Sequence, residues 1–139
     1  MHKALSSTQD LELRAHWAQH FCILAAGLLE NALKDIYDEY ASRSASRAVA
    51  SFVRSRLRRI QNPNATAFLE IVGSFDPDWR TKLEAFLEED GRKEALDSIM
   101  ANRHQIAHGK DCGITIGLLS TYLDRAIAVL EFVETQVRP

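Results

Sequence analysis

From Trp17 onward, apolar residues return at positions 17, 18, 21, 24, 25, 28, 29, 32, 33, 36 and 40. Steps of three and four residues, held for more than six turns, are the signature of a buried helix face. A chain that opens this way is committed to helix packing. Ser7, with Asp10 three residues on, is a plausible N-cap, which places the first helix over about residues 8 to 41. A second, basic helix is expected over roughly 44–60, with Val49, Phe52, Val53, Leu57 and Ile60 as its apolar stripe. Asn62-Pro63-Asn64 reads as a turn, because proline fixes φ and asparagine tolerates turn conformations. A short helix from Ala65 to Val72 follows, then a break at Asp76-Pro77-Asp78. Asp78 can cap a helix that continues to about Asp90 and ends at Gly91. The next helix starts near Arg92, carries Asn102-Arg103-His104 and His108, and stops at Gly109. After a loop over 110–114, Thr115 is the cap candidate for a last helix over about 116–137, with Leu119, Tyr122, Leu123, Ala126, Ile127, Leu130 and Val133 on one side. No stretch alternates with period two for long enough to make a strand. The expected fold is all-α, an antiparallel bundle of four to six helices with two long terminal ones. With no internal repeat and no linker, residues 1–139 are expected to form a single domain.

Composition narrows the class further. At 46% hydrophobic and 26% charged residues, the chain has enough apolar surface to fold and is not disordered. Six glycines and three prolines exclude a collagen-like or low-complexity chain. The apolar runs are too short for a membrane span, and the start MHKALSSTQD lacks the apolar core of a secretory signal. Two cysteines, Cys22 and Cys112, are too few for a disulfide scaffold, so a reducing cytoplasm is the expected setting. The net charge of -2 names no partner, but its distribution is uneven. Residues 41–69 hold six arginines (Arg43, Arg47, Arg54, Arg56, Arg58 and Arg59) and no acid, while residues 70–97 hold nine acids against four bases. That asymmetry is what a basic face meeting phosphate would need. Pairing of the two segments with each other, or simple solvation of the arginines, would explain it equally well.

The familiar catalytic signatures are missing: there is no glycine-rich phosphate loop, CxxC pair, HExxH or GxSxG. Cys112 lies four residues after His108, but nothing supplies the orienting third group of a thiol–imidazole pair, and a spectator thiol is expected. Four of the five histidines form i,i+4 pairs, His16/His20 and His104/His108. Each pair shares a helix face, yet neither has a carboxylate at the spacing that would complete a metal site, so no metal is expected.

The order Arg103, His104, then His108 five residues after the arginine, closed by Gly109 before the last long helix, resembles the HEPN superfamily. The surrounding Met100-Ala-Asn-Arg-His-Gln-Ile-Ala-His108-Gly is most similar to its RiboL-PSP type. Leu28-Leu29-Glu30-Asn31-Ala32-Leu33 is similar to the family's apolar, acid-bearing stretch of the first helix. The resemblance runs over essentially the whole chain in helix order, and is sharp only at the Arg…His segment. It implies a metal-independent endoribonuclease of a toxin or defence type. The RNA 2′-hydroxyl would attack the adjacent phosphate, leaving a 2′,3′-cyclic phosphate and a 5′-hydroxyl. The alternative is a catalytically inactive HEPN module that binds RNA or a protein.

In the catalytic reading His108 moves protons, since imidazole titrates near neutrality, and Arg103 stabilises charge on the phosphoryl oxygens. His104 or Asn102 would orient these two or touch the leaving group, and Glu30 would orient Arg103. Glu30 has a plainer reading as a solvated acid facing Lys34. Arg54, Arg56, Arg58 and Arg59 would hold the RNA backbone through salt-sensitive contacts. Five residues on a helix turn through about 500°, so Arg103 and His108 lie about 140° apart. Either the helix frays before Gly109, or a second subunit completes the site. The resemblance implies the second, a homodimer with two motifs lining one cleft, and an antitoxin or other defence-system partner. Toxins of the HepT kind carry a tyrosine two residues after the histidine, where this chain has Lys110, so modification of that tyrosine has no target here. No cofactor and no membrane partner are expected. Trp17 and Trp79 are expected as core or interface anchors.

Overall fold

A computed structural model describes the backbone of residues 2–139 and the side chains from Gln9 onward. Among these, six helices appear and no strand: α1 (His2–Ser44), α2 (Arg47–Leu57), α3 (Ala65–Phe75), α4 (Pro77–Leu87), α5 (Arg92–Ala107) and α6 (Ile116–Val137). The all-α class expected from the periodicity holds, with two long terminal helices and four shorter ones between them. No helix among the described residues is long and apolar enough to cross a membrane.

Most boundaries follow from local chemistry. Ser46, Asn64 and Thr115 each accept a backbone N–H from the first turn of α2, α3 and α6, removing one of the donors a helix start leaves open. Two expectations need correction. The cap of α4 is Asp76 and not Asp78: Asp76 Oδ1 accepts from the N–H of Asp78 at 2.8 Å, and Pro77 takes the first helical position, where its missing N–H costs nothing. Helix α1 starts six residues before the predicted position, so Ser7, whose side chain lies outside the described residues, does not begin it.

Helix α5 runs antiparallel to both α1 and α6, so the two long helices run in the same direction. The Arg43 guanidinium, near the end of α1, donates to the Val137 carbonyl at the end of α6. Near the other end, Phe21, Leu24 and Leu28 of α1 line one hollow with Ile116 and Leu119 of α6. The α3–α4 hairpin closes the core, where Phe86 stacks on Phe132 at 4.2 Å and Gln136 Nε2 donates to the Trp79 carbonyl at 3.0 Å. Leu29, Leu33, Phe68, Leu83, Leu96, Ile99, Val129 and Val133 are fully buried, each contributing about 1.5–3 kcal/mol relative to exposure.

The apolar periodicity of α1 divides into two faces. Ala18, Cys22, Ala25, Ala26, Leu29, Leu33 and Tyr37 enter the core, whereas Trp17, Phe21, Leu24 and Leu28 stay on the surface, Leu24 at 54% exposure. The expected stripe of α2 is likewise incomplete. Leu57 is buried and Val53 and Ile60 are half-buried, but Val49 and Phe52 face outward because α2 packs chiefly on α1 alone.

Candidate functional site

The end of α5 carries Arg103 and His104, with His108 at its C-cap, and that ending is well defined. Gly109 takes φ +70°, its N–H donates to the Ile106 carbonyl at 3.0 Å, and the Lys110 N–H donates to the Gln105 carbonyl at 2.9 Å. These two bonds form a Schellman closure, which needs a residue comfortable in the left-handed region just past the helix. The helix therefore does not fray before Gly109. It stays regular to Ala107 and leaves His108 at the C-cap.

The regular backbone keeps Arg103 and His108 about 140° apart around α5. His104 links them. Its ring lies 4.3 Å from that of His108, edge to face at 64°. On its other side His104 borders, with Arg103 and Gln105, a polar pocket of about 640 Å³ that His108 does not line. Arg103 is half-buried and forms no ion pair with a carboxylate among the described residues. Its guanidinium acts on the Cys22 thiol, whose pKa burial and neighbouring Cys112 push up to about 11 and Arg103 pulls down. Cys22 Sγ also donates to the Ile99 carbonyl at 3.5 Å, so the start of the α1 core face abuts the middle of α5, one turn before Arg103. A half-buried cation that forms no ion pair among the described residues, at the edge of a polar pocket, is suited to an anionic ligand.

The supporting residues are placed differently from expectation. Glu30 does not orient Arg103. Its Oε1 accepts the Asn62 N–H at 2.6 Å and its Oε2 pairs with Lys34 at 3.1 Å, so it anchors the turn after α2. Asn62 sits at φ +44°, and a carboxylate bond holds that turn in place. Asn102 turns back on its own helix, donating to the Ser98 carbonyl at 2.7 Å. Of the basic residues, Arg54 pairs with Asp38 at 2.9 Å, and the Arg56 guanidinium lies over the Phe52 ring at 5.1 Å. Arg58 and Arg59 are exposed and lead directly into Gln61, Asn62 and Asn64, which line the pocket opposite Arg103 and His104. Those three residues and Asp97 are pocket residues the sequence did not reveal. Its only signal there was the Asn-Pro-Asn turn, which gives a change of direction but not a destination.

His16 and His20 lie on the exposed turn of α1, His20 edge-on to Trp17 at 6.0 Å. Among the described residues no three His, Cys, Asp or Glu side chains converge as metal ligands. Trp79 is half-buried against Tyr40, and Trp17 stacks on Phe21 at 5.6 Å on the exposed face.

The family model described as RiboL-PSP-HEPN matches residues 1–138. Searches of curated proteins and of solved structures gave no match. With a match over nearly its full length and the motif at a closed helix end, the chain belongs to the RiboL-PSP-HEPN family.

Proposed function

We propose that this chain is a metal-independent endoribonuclease of a toxin or defence type, acting as one domain, with its site completed across a homodimer. HEPN domains are often ribonucleases, and often bind RNA or dimerise. The observation that carries the reading is Arg103: a half-buried guanidinium without a carboxylate partner among the described residues, sharing a pocket with His104, whose ring in turn touches that of His108.

The chemistry needs three acts. A base removes the proton of the RNA 2′-hydroxyl, a cation meets the negative charge that builds on the phosphoryl oxygens, and an acid protonates the departing 5′-oxygen. Arg103 supplies the cation through two parallel N–H donors. The imidazoles of His108 and His104 supply proton transfer, since neutral imidazole accepts a proton and imidazolium returns one. The products are a 2′,3′-cyclic phosphate and a 5′-hydroxyl end. Arg58 and Arg59 guide the backbone toward the pocket, a contact that weakens with salt.

Dimerisation answers the 140° separation. Trp17, Phe21, Leu24 and Leu28 form an outward apolar stripe along the part of α1 whose Cys22 bonds to Ile99 of α5, one turn before Arg103. Two copies meeting through it would bring two motifs to one cleft. The cytoplasm is the setting this reading requires.

The same separation favours a second reading, a non-catalytic module that binds RNA or a protein partner such as an antitoxin. RNA cleavage by wild type and His108→Ala in excess EDTA separates the two. Cyclic-phosphate ends from wild type alone support the nuclease. No cleavage by either, with the variant folded and still binding RNA, supports the module.

A further inference from the structure

The pocket beside Arg103 is too well organised for a phosphate cleft alone. Its far wall is the turn 61–64, whose backbone is fastened from two helices. Glu30 of α1 accepts the Asn62 N–H at 2.6 Å, and Asp97 Oδ1 of α5 accepts the Ala65 N–H at 2.9 Å. Pro63 is fully buried between them. A turn held this way fixes the backbone from which its side chains project, and those it presents are amides.

Gln61 of the turn and Gln105 of α5 are exposed, and neither side chain is committed to a bond among the described residues. Asp97 lines the same pocket, with one carboxylate oxygen on Ala65 and the other uncommitted among the described residues. The volume, about 640 Å³, falls within the roughly 300–1,000 Å³ of small-molecule sites. Two features define the occupant. The carboxylate disfavours a second phosphate and welcomes N–H donors, while Arg103 at the other end welcomes a phosphate. The amides offer both donors and acceptors, the equipment with which proteins read base edges in single-stranded RNA.

We propose that the Asp97–Gln61–Gln105 pocket is a base-reading subsite that takes a guanine next to the phosphate held by Arg103. Guanine is the base whose Watson–Crick edge sets two N–H donors side by side, at N1 and the N2 amino group, to meet the two oxygens of one carboxylate. Oδ1 of Asp97 accepts one of them beside the Ala65 N–H through its second lone pair. Its O6 and N7 acceptors then fall to the glutamine amides. Adenine and cytosine each offer one amino donor beside acceptors, and uracil a single N3–H between two carbonyls. This subsite rests on the ribonuclease reading for its biological use, but its occupancy is measurable without cleavage.

The test titrates the full chain with the four nucleoside 3′-monophosphates and with inorganic phosphate. Binding is followed by calorimetry and by the side-chain amide NMR signals of Gln61 and Gln105. Guanosine 3′-monophosphate should bind about tenfold or more tightly than the other three, as expected for one well-formed bidentate contact. Asp97→Asn keeps an oxygen acceptor for the Ala65 N–H while replacing the free carboxylate oxygen by a donor. It should remove that preference and leave the response to phosphate unchanged. Gln61→Ala, at an exposed position, should weaken the nucleotide and not the fold. Equal binding of all four nucleotides, binding no tighter than phosphate, an unaffected Asp97→Asn variant, or no binding overturns the proposal. If guanosine 3′-monophosphate binds selectively but wild type cuts no RNA, the ribonuclease reading falls and the subsite stands. If wild type cuts RNA but the four nucleotides bind alike, the subsite falls and the ribonuclease stands.

Discussion

Arg103 and Tyr37 are both polar groups without a partner among the described residues, and burial gives them opposite meanings. Arg103 is half-exposed at a pocket mouth, where an unmatched cation can take up a ligand. Tyr37 is fully buried, stacked on Phe75 at 4.3 Å, and its hydroxyl bonds to nothing. A buried hydroxyl left unsatisfied destabilises the fold, whereas the ring itself packs well. Tyr37→Phe should therefore raise stability by about 1 kcal/mol at pH 7, read from the urea midpoint. Burial, aided by Tyr40, also pushes the Tyr37 pKa above its ordinary value. A group whose folded-state pKa is raised loses its contribution as pH climbs from the unfolded value toward the folded one. The advantage of the phenylalanine variant should widen above about pH 10, where the unfolded phenol ionises. An unchanged difference between pH 7 and pH 10.5 would contradict the assignment. Cys22, with its pKa raised to about 11, adds an alkaline slope common to both proteins.

Glycine shows how the helix itself decides the meaning of a residue. At Gly109 a Cβ would meet nothing within 4 Å, so the cost of Gly109→Ala is backbone strain alone, at φ +70°. That is about 1 kcal/mol, or a fall of roughly 3–5 °C in the melting midpoint. Gly27, inside α1, also has open space for a Cβ but ordinary helical geometry. Gly27→Ala should raise stability by about 0.5–1 kcal/mol, because alanine loses less entropy on entering a helix. A Gly109→Ala melt no lower than wild type would show the Schellman closure to be unimportant. The stop at Gly109 was legible in the sequence because one glycine after a periodic run has one common use. The separation of Arg103 and His108 was legible too, since it depends only on 100° per residue. Asp76 and Asp78 were harder to tell apart: acids flank Pro77 on both sides, and only the helix start identifies the cap. Glu30 was legible in half: its pairing with Lys34 follows from i,i+4 spacing, but its bond to Asn62 joins residues 32 apart, and local pattern says nothing of such a contact.

At the scale of the whole molecule, the apolar face of α1 is what a single chain leaves unexplained. The periodicity that predicted a buried face over Trp17 to Tyr40 was sound as a statement about helix. It could not tell which residues meet the same chain and which wait for another, because both faces recur every three to four positions. Trp17, Phe21, Leu24 and Leu28 are the surplus, each at least 41% exposed. Contiguous exposed residues of this size usually mark an interface. Leu24→Glu changes no core contact, so the variant should keep its helical circular dichroism, run as a monomer in light scattering, and lose RNA cleavage by about tenfold or more. Complementation tests whether the partner also completes the chemistry. Arg103→Ala and His108→Ala should each be inactive alone. Co-expressed in equal amounts, half of the dimers are mixed, and if Arg103 of one chain works with His108 of the other, each mixed dimer keeps one intact site of two. Activity should return to about a quarter of wild type, a value set by two-fold symmetry. If both residues serve from the same chain, every site in the mixed dimer carries one defect and nothing returns. A cleaving Leu24→Glu monomer would show that one chain closes the 140° gap by itself.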